Sequence, residues 1–295
     1  MRVEDLPRAL VVSTGRNSAW VAVDGEVHPR VARLRRMTGK RFMPVPGDVV
    51  RARILEDGSA VVERIEPRSL ILQRQTAGGR AKTMAANVDM LVTVTALAHP
   101  TPRLVTLDQL LAFAEISGVA GVVVFTKADL AASPQREDLP QIYRRLHYPT
   151  LVTNPKTGQN IEALRTAIGD RHAMLAGNSG VGKSTIFRSL GGEGSVGDVS
   201  RYGLGRQTTT AARLYRLGDG FLIDSPGVNE FGLGALGAAE LAAGFREMRE
   251  PAGSCRFADC RHLQEPDCAV RAEVEAGRMA ESRYASYAQL LTHPR

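Results

Sequence analysis

The stretch Gly177-Asn178-Ser179-Gly180-Val181-Gly182-Lys183-Ser184-Thr185 follows the apolar run Ala173-Met174-Leu175-Ala176 and precedes Ile186-Phe187-Arg188-Ser189-Leu190. It completes the pattern G-x-x-x-x-G-K-[ST] in a strand-loop-helix context. Glycines let the backbone curl until successive N–H groups point inward at phosphate oxygens, and the following helix adds its positive N-terminal end. Lys183 is expected to reach the β- and γ-phosphates as a point charge, and the Ser184 hydroxyl to join the coordination of Mg²⁺. Nucleotide binding is the first expectation.

Around this loop lie continuous apolar runs of the kind expected of strands buried on both faces: Met90-Leu91-Val92-Thr93-Val94, Gly121-Val122-Val123-Val124-Phe125, Thr150-Leu151-Val152 and Phe221-Leu222-Ile223. Helical stretches from Leu104 to Ser117 and from Asn160 to Ile168 alternate with them. The alternation predicts a mainly parallel α/β sheet whose ligand loops sit at the carboxyl ends of its strands. Two of those ends carry further motifs. Asp224-Ser225-Pro226-Gly227 reads D-x-x-G, in which Asp224 would hold Mg²⁺ through water and the Gly227 amide would sense the γ-phosphate. Thr126-Lys127-Ala128-Asp129 approximates N-K-x-D. There Asp129 would accept from guanine's N1–H and exocyclic amine, while Lys127 lays its methylene stem along the base. Adenine lacks that edge, and a buried carboxylate left unpaired against it costs roughly 1–3 kcal/mol. GTP and GDP are expected over adenine nucleotides. Between the phosphate loop and Asp224 stands Thr208-Thr209-Thr210, with Thr208 expected to close over Mg²⁺ and the γ-phosphate.

The N-terminal part of the chain reads differently. Leu10-Val11-Val12-Ser13, Ala19 to Val23, Asp48 to Arg53 and Ser59 to Ile65 are short strands separated by Asp24-Gly25, Pro46-Gly47-Asp48 and Asp57-Gly58, which suits a small closed β-barrel. From His28 to Arg41 the chain carries six Lys/Arg and no acid, expected as a phosphate-seeking loop or as a solvated charge run. Barrels of the oligonucleotide-binding type use loops in this way, and with only Trp20 and Phe42 as aromatics here, backbone and shape recognition is expected over base reading. Arg74-Gln75-Thr76-Ala77-Gly78-Gly79-Arg80 suits a mobile linker.

After Gly227 the chain turns helical, from Ala238 to Glu250 and from Glu281 to Leu291. Between these stretches Cys255, Cys260, His262 and Cys268 follow the spacing C-x4-C-x-H-x5-C, the closed tetrahedral donor set of a structural Zn²⁺, one per chain. With no ligand position left open, a catalytic zinc is not expected. The chain's three cysteines all fall in this segment, which argues against a disulfide framework. The formal net charge of +7 favours a polyanionic partner. No apolar run reaches transmembrane length, and Met1 to Arg8 does not read as a secretory signal, so a cytoplasmic protein with no membrane partner is expected.

The motif order is unusual. Base reading (126–129) precedes the phosphate loop (177–184), which precedes the threonine run and then Asp224, whereas ordinary small GTPases place the phosphate loop first. All must meet around one nucleotide, so the domain should be circularly permuted. With a basic barrel ahead and the Cys/His segment behind, the chain resembles the small ribosomal subunit biogenesis GTPase RsgA family, the YjeQ-type circularly permuted GTPases. The resemblance runs from the barrel through Ala86-Asn87-Val88-Asp89 to Glu265-Pro266-Asp267-Cys268-Ala269-Val270 and Arg283-Tyr284-Ala285-Ser286-Tyr287. It implies an α/β P-loop GTPase domain at residues 74–235, an N-terminal OB-like RNA-binding barrel at 1–73 and a C-terminal helical zinc-binding domain at 236–295. It further implies a monomeric, ribosome-stimulated GTPase that binds the small ribosomal subunit and its rRNA late in maturation and leaves after hydrolysis.

Two positions depart from the family's pattern: Thr126 stands where Asn is usual, and Gln207 where His is frequent. The residue after D-x-x-G is Val228, which can neither donate nor accept, so Gln207 is the candidate for orienting the attacking water, with Arg206 and Arg201 as rivals. Two other classes of protein remain open from the residues: a P-loop ATPase or small-molecule kinase in which Asp129 is incidental, and an RNA-binding nucleotide sensor with negligible turnover.

Overall fold

The computed structural model describes residues 2–15, 17–26, 28–34, 36–37, 40–41, 43–75, 81–130, 138–191, 213–224 and 236–293. Its strands, in chain order, begin with β1 (Arg8–Thr14), β2 (Ser18–Val23), β3 (Arg30–Leu34), β4 (Arg36–Met37), β5 (Lys40–Arg41), β6 (Val49–Ile54), β7 (Ala60–Ile65), β8 (Ile71–Gln75) and β9 (Ala81–Ala86). They continue with β10 (Met90–Ala96), β11 (Ala120–Thr126), β12 (Thr150–Thr153), β13 (His172–Ala176), β14 (Arg213–Leu217) and β15 (Gly220–Asp224). The chain divides into two compact units: Met1–Asp89, Ile168–Met174 and Phe187–Gly227 make the first, and Met90–Ala167, Leu175–Ile186 and Val228–Arg295 the second.

In the first unit, β1 pairs antiparallel with β2, β2 with β3, β3 runs parallel to β7, and β7 pairs with β6, which returns to β1 and closes a barrel. Alternate residues face inward, and these are small: Ala9, Val11, Val21, Ala32, Val50 and Val62 are all buried. Small residues suit the narrow interior of a five-stranded barrel. The expected basic loop from His28 to Arg41 is corrected here. Its first part is barrel strand β3, and Arg36–Met37 pairs with Lys40–Arg41 as a short hairpin. Backbone partners on both sides, from β2 and β7, hold β3, so one fully inward residue, Ala32, suffices where sequence alternation is weak. Arg30 is clamped by Glu26 at 2.6 and 2.8 Å and donates to the Gly58 carbonyl at 2.7 Å.

The expected linker is corrected in part. Arg74 and Gln75 end β8, which pairs antiparallel with β9 from Ile71↔Ala86 to Gln75↔Ala81; backbone pairing needs no apolar pattern. Residues 76–80 lie outside the described residues. The same unit holds the parallel pairing of β13 with β15 and the antiparallel β14, which also touches β1 at Ser13↔Arg213.

In the second unit β10, β11 and β12 run parallel, with Ala96, Thr126 and Thr153 in register at their carboxyl ends. Every residue of β10 is buried, as expected of a strand covered on both faces. The helix Leu104–Ser117 has the expected bounds and packs Leu107 and Leu111 with Val123, Phe125 and Tyr143. The helix expected from Ala238 to Glu250 is broken into Ala238–Ala243, a 3₁₀ turn at Arg246–Met248 and Arg249–Ala252. The chain leaves helical backbone at Phe245 (φ −106°, ψ 108°), which enters the core, just after Gly244, where a Cβ would stand 2.9 Å from the Ala112 Cβ on the Leu104–Ser117 helix. The helix Glu281–Thr292 matches expectation to one residue and completes this core with Tyr287 and Leu290. Among the described residues no helix is long and apolar enough to cross a membrane.

Candidate nucleotide site and metal centre

The phosphate loop leaves β13 at Gly177, whose φ of +142° only glycine adopts comfortably. A Cβ on Gly177 would stand 2.1 Å from the Val94 carbonyl oxygen, so the loop begins pressed against β10. Its last glycine, Gly182, accepts from Thr185 and Ile186 N–H groups at 3.1 and 2.9 Å and starts the helix Lys183–Ser189. The Lys183 ammonium is half-buried and donates to the Gly177 and Asn178 carbonyls, each at 2.6 Å. The lysine therefore closes over its own loop, and these are the bonds that a phosphate would replace. Ser184 is exposed at the helix start, beside half-buried Thr185.

The base-reading candidate meets this loop directly. Thr126 ends β11 and is 1% exposed, and its hydroxyl donates to the Val181 carbonyl at 2.6 Å. Lys127 follows at a φ of +57° and donates from Nζ to the Gly180 carbonyl at 2.8 Å and to the His99 carbonyl. Ala128 and Asp129 lie in a short 3₁₀ turn, with Asp129 exposed. Thr153, in register with Thr126 on β12, donates its hydroxyl to the Phe125 carbonyl at 3.4 Å. The structure thus brings 126–129 and 177–185 together. Asp224 ends β15 by its backbone, its side chain lying outside the described part. Arg201, Arg206, Gln207, Thr208 and Gly227 lie outside the described residues. His99 takes part through its carbonyl, a backbone contact with no signature in the sequence.

The four zinc candidates converge. One ligand atom from each of Cys255, Cys260, His262 and Cys268 lies within 4.8 Å of all the others. His262 presents Nδ1, 3.5 Å from Cys255 Sγ and 3.6 Å from Cys268 Sγ, and the two sulfurs are 3.9 Å apart. A tetrahedron with metal–ligand bonds of roughly 2.0–2.3 Å has edges of roughly 3.3–3.8 Å, so the donor set fits one Zn²⁺. Burial lowers the His262 pKa and so favours the neutral, ligating imidazole; it pushes the Cys260 thiol up to about 12, and metal binding would release that proton. Around the cluster, Glu265 accepts from the Arg261, Leu263 and Gln264 N–H groups at 2.9–3.0 Å. Burial works against its charge, but these bonds outweigh it and hold the carboxyl at about 2. Tyr284 and Tyr287 donate to the His262 and Arg261 carbonyls at 2.8 and 3.0 Å, tying the segment to the last helix.

A group not anticipated from the sequence anchors that helix. Arg283, 1% exposed, donates to Asp108 at 2.5 Å and to Glu247 at 2.6 Å, and its guanidinium lies 4.6 Å from the Phe245 ring centroid. Tyr143 donates to the same Asp108 oxygen at 2.9 Å. Burial alone would lower the Arg283 pKa, but the two carboxylates hold it well above its usual value. One signal was available: Asp108 shares a helix face with Leu104 and Leu111 at i−4 and i+3, an apolar position for a charge.

Together, a phosphate-loop motif, a candidate base-reading strand end joined to it and the permuted order of the two define a circularly permuted P-loop GTPase with a barrel ahead and a Cys₃His cluster behind. Residues 65–234, more than half of the chain, match the RsgA GTPase family. A protein of Haemophilus influenzae named small ribosomal subunit biogenesis GTPase RsgA is 41% identical over 244 residues, covering 80% of this chain and 70% of that protein. The crystal structure of YjeQ from Thermotoga maritima superposes with a TM-score of 0.78 at 30% identity, covering 98% of this chain and 99% of that one. YloQ, described as a circularly permuted GTPase, shares the fold at a TM-score of 0.75 and 24% identity. The chain belongs to the RsgA GTPase family.

Proposed function

We propose that the protein binds the small ribosomal subunit late in its maturation and that GTP hydrolysis, stimulated there, is coupled to its release. The observation that carries this reading is the direct joining of Thr126 and Lys127 to the phosphate loop, which supports one nucleotide site shared by 126–129 and 177–185. The names of relatives such as the Haemophilus influenzae protein support the small subunit as partner. In this reading residues 1–73 form the RNA-binding barrel, 74–235 the GTPase domain and 236–295 the zinc-binding domain, and the protein acts as a cytoplasmic monomer.

Residues 177–185 cradle the phosphates and 126–129 the base. Ser184 and Thr208, with Asp224 acting through water, would hold Mg²⁺, which would supply charge neutralisation on the transferred phosphoryl. Lys183 stabilises the β- and γ-phosphates, the Gly227 amide reports the γ-phosphate, and Gln207 orients water. The deciding experiment is GTP hydrolysis titrated with purified small subunits, with large subunits and ATP competition as controls. Stimulation by small subunits alone, without competition by ATP, is expected. Equal stimulation by both subunits would defeat the partner assignment, and effective ATP competition the guanine assignment.

A further inference from the structure

We propose that Thr126 is a positioning residue that does not touch the base: its hydroxyl holds the phosphate loop, and guanine's N7 goes unread by that side chain. The inference rests on the guanine-nucleotide reading above and narrows it to one edge of the base. The Val181 carbonyl can only accept, so at 2.6 Å the Thr126 hydroxyl must be the donor. A hydroxyl carries a single proton, and this one is committed. Guanine's N7 is an acceptor and requires a donor. An asparagine in the same place, the residue usual in the family, would bring an amide with two N–H donors, one for the loop and one to spare.

Three surrounding features agree. Thr126 is 1% exposed, and its Cγ2 and Oγ1 both lie 3.8 Å from where a Cβ on Gly182 would stand, so the side chain is packed under the loop. The neighbouring hydroxyl on β12, Thr153, is buried and committed to the Phe125 carbonyl at 3.4 Å. The Lys127 ammonium is directed at the Gly180 and His99 carbonyls. Among the described side chains of 126–129, the Asp129 carboxylate is exposed, an acceptor suited to the Watson–Crick edge and unable to address N7.

The test is equilibrium binding of GTP and of 7-deazaguanosine triphosphate, in which a C–H replaces N7, to the full chain with Mg²⁺. Wild type should bind the two alike, within about twofold. Thr126→Val keeps the shape and strands the Val181 carbonyl, so both affinities should fall in parallel by about tenfold, which corresponds to about 1.4 kcal/mol. Thr126→Ser should restore both. Thr126→Asn should create a preference for GTP over the deaza analogue of about fivefold by bringing the missing donor. The proposal is overturned if wild type already disfavours the analogue about tenfold and Thr126→Val erases that difference, because residue 126 would then read N7. ATP binding as tightly as GTP would instead overturn the guanine reading and this inference with it, a result separable from the first because it does not depend on the analogue.

Discussion

Two cages in this protein are built by opposite means. The candidate phosphate cage is a backbone loop clipped by side chains drawn from far apart in the chain: the Thr126 hydroxyl meets the Val181 carbonyl across 55 residues, and the Lys127 ammonium meets Gly180 across 53. The zinc cage is made of four side chains within the single segment 255–268. A cage assembled this way depends on its clipping side chains and on strand ends staying in register, as Ala96, Thr126 and Thr153 do. A side-chain cage depends first on each of its four atoms. The two should therefore fail differently.

The largest effect is expected at the zinc cage. Cys260→Ser should take zinc from one equivalent per chain to almost none by elemental analysis and unfold the C-terminal segment locally, since binding energy there is folding energy, roughly 10–16 kcal/mol for small zinc domains. Guanine nucleotide binding should persist, and loss of both together would join the cages into one cooperative unit. Next is the anchor between the C-terminal helix and the helix Leu104–Ser117. Arg283→Met leaves Asp108 and Glu247 buried without their cation, and denaturant unfolding should show a loss of about 3–5 kcal/mol. Adding Asp108→Leu should recover part of it; no recovery would mean that the arginine acts by packing against Phe245.

A smaller effect is expected from one side chain of the phosphate cage. Ser184 is exposed, so Ser184→Ala should leave stability and zinc content alone while lowering turnover at least about 10²-fold, about 2.7 kcal/mol. Unchanged turnover in excess Mg²⁺ would remove Ser184 from the metal site. The smallest effect is at Glu265, which shapes the zinc loop through backbone N–H groups. Glu265→Gln should weaken zinc by about tenfold in a chelator competition. Because its carboxyl sits at about 2, below the ordinary 4.5, its contribution is present above pH 4.5 and fades as pH falls towards 2. A difference between wild type and variant that grew on acidification would contradict that sign.

Where the reading from sequence succeeded and where it fell short follows the same contrast. The converging Cys₃His cluster and the loop that follows β13 were legible because each is a fixed spacing of residue types whose chemistry is local. The helix Leu104–Ser117 was legible because its bounds are set by its own residues and by Gly118 at its end. Strand β3 was missed because its stability comes from pairing on both sides, and the break at Phe245 because that residue packs into a core shared with Ala112, some 130 residues earlier. The Arg283–Asp108 pair was missed for the same reason, though Asp108 stood out on its own helix face.

By itself, the sequence determined the chemistry on offer: a loop that can wrap phosphate, a carboxylate suited to guanine, a Cys₃His set for zinc and a motif order that requires permutation. These are properties of residue type and spacing. Only the tertiary structure decided how the pieces bear on one another. It set the Thr126 hydroxyl against the Val181 carbonyl, and it set a buried arginine between two carboxylates to hold the last helix. A hydroxyl's partner and a charge's burial depend on which atoms lie within about 3 Å, and that is fixed by packing between segments distant in the chain, not by local spacing.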